Sequence, residues 1–138
     1  MKDLKAAIML LGEEGIGGDR TVGKGQFEPT FTEYKGSLFN TNASSYFVTL
    51  SMYLPSKSEI QKGLLQGENV SYDIEKRGGW IYSDFAKSQR KRTVRMFQEG
   101  SVFKNTGREF YGKVVNVAPE SFKRHPVFRN GLAFRINI

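Results

Sequence analysis

The chain has 138 residues, with 21 Lys or Arg against 14 Asp or Glu, and a formal net charge of +7. It has no cysteine and one histidine, which excludes disulfides, thiolate catalysis and cysteine-based zinc sites. We expect no metal site and no cofactor. We also expect no membrane segment, because no apolar run reaches the roughly 18 residues of a membrane helix. The first residues form a lysine-spaced amphipathic segment and not a signal peptide, so we expect a cytoplasmic chain.

The composition is that of a folded chain, with 38% hydrophobic and 13% aromatic residues. Its length allows one domain and a fragment of a second. Apolar residues in the segment 2–11 recur at the i, i+3, i+4, i+7 spacing of one helix face, which predicts a helix ended by Gly12 or Gly15. They are Leu4, Ala7, Ile8 and Leu11.

A glycine-rich segment, residues 15–27, follows this helix. Five of its thirteen residues are glycine, and Arg20 and Lys24 lie among them. Glycine lets another molecule approach the main chain closely, and two cations among glycines favour a polyanion as that molecule. We expect Asp19 to order the loop through local N–H bonds or by pairing with Arg20.

Two nucleotide-binding motifs fail in this segment. The spacing from Gly18 to Lys24 fits a P-loop, but Gly25 follows where Ser or Thr must hold magnesium. The order is also reversed, since a P-loop precedes its helix and this loop follows one. A dinucleotide fingerprint fails because Arg20 occupies the position of the third glycine.

The next segments predict a weak strand and a boundary. Residues 26–34 alternate poorly and include Pro29, which predicts an edge strand. Residues 35–45 have loop composition and are the expected domain boundary. The first 34 residues would then be left from a preceding domain, with an apolar face that favours homodimerisation of the isolated chain.

From residue 46 the pattern is that of an α+β domain. Residues 46–54 predict a central strand, and Ser56 with Glu59 forms a capping box that opens a short helix. We expect Ile60 and Leu64 to face inward and Gly67 to end this helix. Residues 70–75 predict the next strand.

Further strands are predicted at residues 80–82, 93–97, 112–118 and 132–138, with one helical turn at 119–123. The last strand alternates most cleanly, with Leu132, Phe134, Ile136 and Ile138 on one face. This order predicts an elaborated ferredoxin-like βαββαβ domain with an antiparallel sheet.

Positive charge concentrates in the middle of the chain. Residues 1–75 hold seven basic and ten acidic side chains, whereas residues 76–113 hold ten and three. In one interpretation the basic cluster 89–95 neutralises RNA phosphates without recognising the bases. Trp80, close in sequence to Lys76 and Arg77, would stack on an exposed base. A solvated hairpin tip and a core tryptophan are the alternatives.

The glycine-rich segment and the C-terminal segment 125–134 together resemble the RAMP superfamily, the RNA-binding subunits of CRISPR effector complexes. The match resembles most the type III-A (Csm complex) subunit that holds the five-prime handle of the guide RNA. Family subunits are longer and have two ferredoxin-like (RRM-like) domains. The resemblance therefore implies a C-terminal portion, with residues 1–35 from the N-terminal RAMP domain and 36–138 forming the C-terminal one.

The resemblance implies a non-catalytic RNA-binding and scaffold subunit in antiviral defence. Its implied partners are crRNA, the large polymerase-like subunit and the adjacent backbone RAMP subunit. The candidate RNA-binding residues lie in the glycine-rich segment and the basic region. They are Gly17, Gly18, Arg20, Thr21, Gly23, Lys24, Gly25, Arg77, Trp80, Arg90, Lys91, Arg92 and Arg95.

The sequence is also compatible with two other functions. The first is a metal-independent endoribonuclease that processes CRISPR repeat RNA with His125, the only imidazole. The second is a protein-assembly fragment whose glycine loop docks a neighbouring subunit. The carboxylates Asp19, Asp73, Glu75 and Asp84 have no spacing that dictates a metal pair.

Overall fold

The computed structural model describes residues 2–36, 44–86 and 88–138. The chain forms two compact units, Met1–Lys35 and Gly36–Ile138. Most of the loop predicted at residues 35–45 lies outside the described residues. No helix in the described part of the chain is long and apolar enough to span a membrane.

The first unit begins with helix α1, Lys2–Glu14. Of the two glycines expected to end it, Gly12 is a buried residue inside the helix. Gly15 ends it: its φ of 81° is left-handed, and its N–H donates to the Leu11 carbonyl at 2.8 Å.

The edge strand predicted for residues 26–34 is absent, since the described residues 26–36 form no strand. The Phe27 N–H donates to the Gly12 carbonyl of α1 at 3.1 Å instead of to a sheet. Pro29 has no N–H to donate, and no described strand pairs with this segment. An extended segment without a partner strand cannot form a ladder.

The second unit is a small α+β structure with antiparallel sheets. Strand β1, Tyr46–Thr49, lies between β4, Val102–Lys104, and β7, Arg135–Asn137. Both neighbours are antiparallel to β1, with Val48 opposite Val102 and Ile136. On the other side of β4, Ser71 forms an isolated antiparallel bridge with Val102, so a fourth segment of the chain lies beside this sheet. This order is compatible with a ferredoxin-like sheet.

Two short ribbons complete the unit. Strand β2, Ile74–Arg77, pairs with β3, Val94–Phe97, and β5, Val115–Asn116, pairs with β6, Phe128–Arg129. The strand predicted at 70–75 is displaced, since β2 begins at residue 74 and ends at residue 77, and only residues 115–116 of the strand predicted at 112–118 are formed. At residues 80–82 the structure has only a bridge between Trp80 and Arg90. Of the helical turn predicted at 119–123 the structure has one hydrogen bond, from the Phe122 N–H to the Pro119 carbonyl at 2.9 Å.

The core lies under the inner face of β1. It is an aromatic cluster in which Phe47 lies 4.5 Å from Tyr111, between ring centroids, and Tyr53 lies 5.2 Å from Phe103. Leu64 and Phe97 complete the cluster. On β7 Arg135 turns toward this cluster, and its guanidinium lies 5.1 Å from the Tyr111 ring centroid. The apolar residues Phe134 and Ile138 are exposed instead.

Helix α2, Lys57–Gln61, carries the predicted capping box, which is confirmed. The helix ends at Gln61, earlier than the expected Gly67, and Ile60 is exposed although it was expected to face inward. The buried residue is Glu59, which accepts the N–H bonds of Ser56 and of Gly112, the latter at 2.7 Å. This carboxylate links the start of α2 to a loop 53 residues away.

Glu59→Gln should lower the free energy of unfolding by about 1–3 kcal/mol, because an amide has one oxygen for two main-chain donors and buries an NH2 group beside them. Chemical denaturation followed by circular dichroism measures this. Glu68→Gln, at an exposed position, is the matched control and should change stability little. Equal effects of the two substitutions would contradict the structural role of Glu59.

Candidate nucleic-acid interface

The glycine-rich segment forms a closed loop on the C-terminal end of α1. At its base the Ile16 N–H donates to the Gly25 carbonyl at 2.9 Å. At its tip a single 3₁₀ turn, Arg20–Val22, ends at Gly23, whose N–H donates to the Arg20 carbonyl at 3.0 Å. The loop is therefore a defined structure held by its own main chain.

The loop also neutralises the end of the helix beneath it. The last carbonyls of a helix lack intrahelical donors and carry partial negative charge, which repels an anion. Here the carbonyls of Leu11, Gly12 and Glu13 accept bonds from Gly15, Phe27 and the Gln26 side chain, the last at 3.0 Å. Satisfied carbonyls oppose an anion above the loop less strongly.

The glycines of the loop fall into two groups. A Cβ on Gly25 would lie 2.0 Å from the Ile16 carbonyl oxygen, so closure of the loop itself requires this glycine. Gly17, Gly18 and Gly23 have no atom within 4 Å of such a Cβ and face open space. Gly18 also lacks the left-handed φ that explains Gly17 and Gly23. Nothing within the described fold therefore requires glycine at position 18.

The two cations of the loop are exposed. Lys24 Nζ lies 3.9 Å from Asp19 Oδ2, and the two side chains are 74% and 73% exposed. Asp19 thus pairs with Lys24 and not with Arg20 as one expectation had it, while its carbonyl accepts the N–H groups of Val22 and Lys24. Within the described residues Arg20 has no ion pair. Thr21 is exposed beside it.

A second basic region lies in the other unit, on the loop that we call the Trp80 hairpin, whose described residues are 78–86 and 88–92. Main-chain bonds join Ile81 to Gln89 and Lys91 to Gly79, both at 2.8 Å. Ile81 is buried in a small cluster with Ala118 and Phe122, which anchors the hairpin. Trp80 points the other way, is 55% exposed, and has the Arg90 guanidinium 4.7 Å from its ring centroid.

The structure separates the other predicted cations by what they contact. Arg77 pairs with Glu75 at 3.3 Å, and Arg92 donates to the Asn116 carbonyl at 2.7 Å, so both bind their own chain. Arg90 and Arg95 are exposed, and Lys91 is half-buried. The predicted residues therefore lie in two groups, one on each unit of the chain.

His125 belongs to neither group. Its Nε2 lies 2.8 Å from Ser83 Oγ, its Nδ1 lies 3.0 Å from the Pro126 carbonyl, and its ring meets Phe122 edge-on. Sequence reasoning missed Ser83 because the two residues are 42 positions apart. The described residues contain no cluster of three His, Asp or Glu that could hold a metal ion.

Comparison with known proteins identifies the family. Residues 42–138 match the CRISPR Csm4 C-terminal domain. The chain belongs to the Csm4 family. Csm4 is a type III-A RAMP subunit, so the resemblance found in the sequence is confirmed.

Curated relatives agree with this assignment. Proteins named CRISPR system Cms protein Csm4 are similar to this chain, at 31% identity in Methanocaldococcus jannaschii and 32% in Mycobacterium tuberculosis. The alignments cover 88% and 87% of this chain but only 32% and 38% of those relatives. A Csm4 protein of Thermococcus onnurineus is 36% identical over 99 residues, 72% of this chain and 28% of that protein.

The chain thus spans about a third of the length of these Csm4 relatives. An alignment over 88% of the chain is longer than residues 42–138, so it includes part of the first 41 residues. The similarity therefore extends into the region that carries α1 and the glycine loop.

Gly25→Ala should open the loop, because its Cβ would clash with the Ile16 carbonyl and its φ of 81° is strained for alanine. Gly18→Ala is the matched control and should leave the loop closed. Limited proteolysis with trypsin, which cleaves after Arg20 and Lys24, measures the difference. Equal cleavage rates for the two variants would contradict the closed loop.

Proposed function

We propose that this chain is part of a non-catalytic RNA-binding and scaffold subunit of a type III-A CRISPR effector complex. In this proposal the glycine loop and the basic region hold the five-prime handle of the crRNA in antiviral defence. Membership of the Csm4 family supports the complex, and the names of the relatives place those proteins in a CRISPR system. The RNA contact rests on the geometry of the loop.

The observation that carries the proposal is the open side of the glycine loop. Within the described residues the N–H groups of Gly17 and Gly18 have no acceptor, and a Cβ at Gly18 would meet only open space. A phosphate can therefore approach these N–H groups as it does in other main-chain anion sites. Arg20 is exposed and has no ion pair within the described residues, so its guanidinium can form a bidentate pair with that phosphate.

Lys24 can join the same phosphate at small cost. Its bond to Asp19 is long and solvent-exposed, and such pairs contribute about 0–1 kcal/mol. A polyanion offers several negative oxygens in place of one carboxylate and releases condensed counterions on binding. Exchange of Asp19 for phosphate is therefore favourable at low salt.

The larger assembly is also part of the proposal. The second unit is the C-terminal ferredoxin-like RAMP domain, and residues 1–35 belong with the preceding RAMP domain. One face of α1 is apolar and exposed, and it includes Leu4, 62% exposed, and Leu11, 41% exposed. We assign this face to contacts with other parts of the complex, which contains the large polymerase-like subunit and the backbone RAMP subunit. Pairing of two α1 faces is the expected homodimer of the isolated chain in the cytoplasm.

Arg20→Ala combined with Lys24→Ala should weaken binding of repeat-handle RNA and flatten its salt dependence. Loss of two phosphate contacts on a single strand lowers the slope of log K against log salt by about 1.4. Fluorescence anisotropy of labelled RNA, measured from 50 to about 300 mM salt, gives both quantities.

The control for net charge is Lys57→Ala with Lys62→Ala, two exposed lysines at α2. This control should leave the slope almost unchanged. Gly18→Ala tests the loop without altering charge and should weaken binding while the fold is retained. Unchanged RNA affinity in the Arg20 and Lys24 variant, with loss of binding to partner subunits, would favour the protein-assembly function.

The endoribonuclease is a second candidate because His125 Nε2 is hydrogen-bonded to a serine hydroxyl. If the subunit is non-catalytic, neither the unchanged chain nor the His125→Ala variant should cleave CRISPR repeat RNA in the presence of EDTA. Gel analysis of end-labelled repeat RNA measures this. Cleavage that is abolished by His125→Ala, while Ser121→Ala cleaves normally, would overturn the non-catalytic proposal.

A further inference from the structure

We propose that Trp80, with Arg90 on one side of its ring, is a stacking platform for an unpaired nucleobase of single-stranded RNA. This inference rests on the proposed function in taking RNA as the ligand. It concerns a different unit of the chain from the glycine loop, so the two can fail separately.

The main chain under the platform is held in place although the aromatic ring is exposed. Trp80 and Arg90 face each other across a bridge, flanked by the two main-chain bonds of the hairpin. The next residue, Ile81, is buried and only 6% exposed, which fixes the backbone from below. The main chain that carries the indole is therefore held by the fold before any ligand binds, which lowers the entropy cost of binding.

The chemistry of the pair suits a base and its phosphate. The Arg90 guanidinium lies 4.7 Å from the ring centroid, at cation–π distance, and holds one side of the indole. More than half of Trp80 stays exposed, which leaves apolar ring surface for a second flat group. Within the described residues Arg90 has no carboxylate partner, so its charge remains available for the phosphate next to a stacked base.

The surroundings favour RNA over a protein partner. Residues 76–113 hold ten basic and three acidic side chains. Aromatic rings among cations, with few carboxylates near them in sequence, are typical of sites for single-stranded nucleic acid. Tyr82, 90% exposed two positions along the hairpin, lies on the same side of the alternation as Trp80 and offers a second ring.

The test uses the fact that Trp80 is the only tryptophan in the chain. Its intrinsic fluorescence therefore reports stacking at this position alone. The probes are an eight-nucleotide single-stranded oligoribonucleotide and an abasic oligomer of the same length and charge. We expect the first to quench the emission at saturation and the abasic oligomer to leave it nearly unchanged, because it has phosphates but no bases.

Anisotropy with labelled probes tests the same point in variants. Trp80→Ala should weaken binding of the oligoribonucleotide by roughly 5- to 150-fold, the range for loss of one stacked base, and should not alter binding of the abasic oligomer. Trp80→Phe should retain much of the affinity. Phe110→Ala, another exposed aromatic outside the hairpin, is the matched control and should have no effect.

Two results would overturn the platform. The first is RNA binding with unchanged Trp80 emission and unchanged affinity in Trp80→Ala. The second is emission that changes with the partner CRISPR subunits but not with RNA, which would assign the hairpin to protein contacts. Quenching that persists at saturation in the Arg20 and Lys24 variant supports the platform independently of the glycine loop.

Discussion

The proposed RNA contact depends on the way the glycine loop closes onto the end of α1. The Ile16 to Gly25 bond fixes the base of the loop, and three loop donors satisfy the carbonyls of Leu11, Gly12 and Glu13. These bonds pair the hydrogen-bonding groups on the side of the loop that faces the helix. The part that faces solvent, at Gly17 and Gly18, has no acceptor within the described residues and is available to a ligand. The same closure therefore gives the loop a fixed shape and an open donor surface.

Contacts close in sequence were predictable, and contacts distant in sequence were not. The capping box of Ser56 and Glu59 lies within one helical turn, so the residue types alone determine it. The second role of the Glu59 carboxylate, as acceptor for Gly112, depends on the folded chain. Tyr53 beside it is fully buried, and this burial, followed by the charge of Glu59, raises the pKa of the Tyr53 hydroxyl.

Strands were harder to predict than helices for the same reason. A strand exists only beside a partner, and residues 26–34 had an extended pattern but no strand beside them in the described chain. Alternation also did not identify the buried side of β7, where Arg135 turns toward the aromatic core through its ring contacts and Phe134 remains exposed. For the candidate site, composition located Arg20, Lys24 and Trp80. Only the structure showed that Arg77 and Arg92 contact their own chain and that Arg90 lies against Trp80.

The two candidate contacts differ in the physical basis of binding. The glycine loop offers charge and main-chain donors, so its contribution is electrostatic, falls with salt and is blind to the bases. The Trp80 hairpin offers an aromatic surface, so its contribution depends on a base being unstacked and depends less on salt. Joined on one RNA strand, the second contact becomes intramolecular after the first, and each raises the effective concentration of the other. Two weak contacts that bind one strand in this way can together hold a single-stranded handle more firmly than either contact alone.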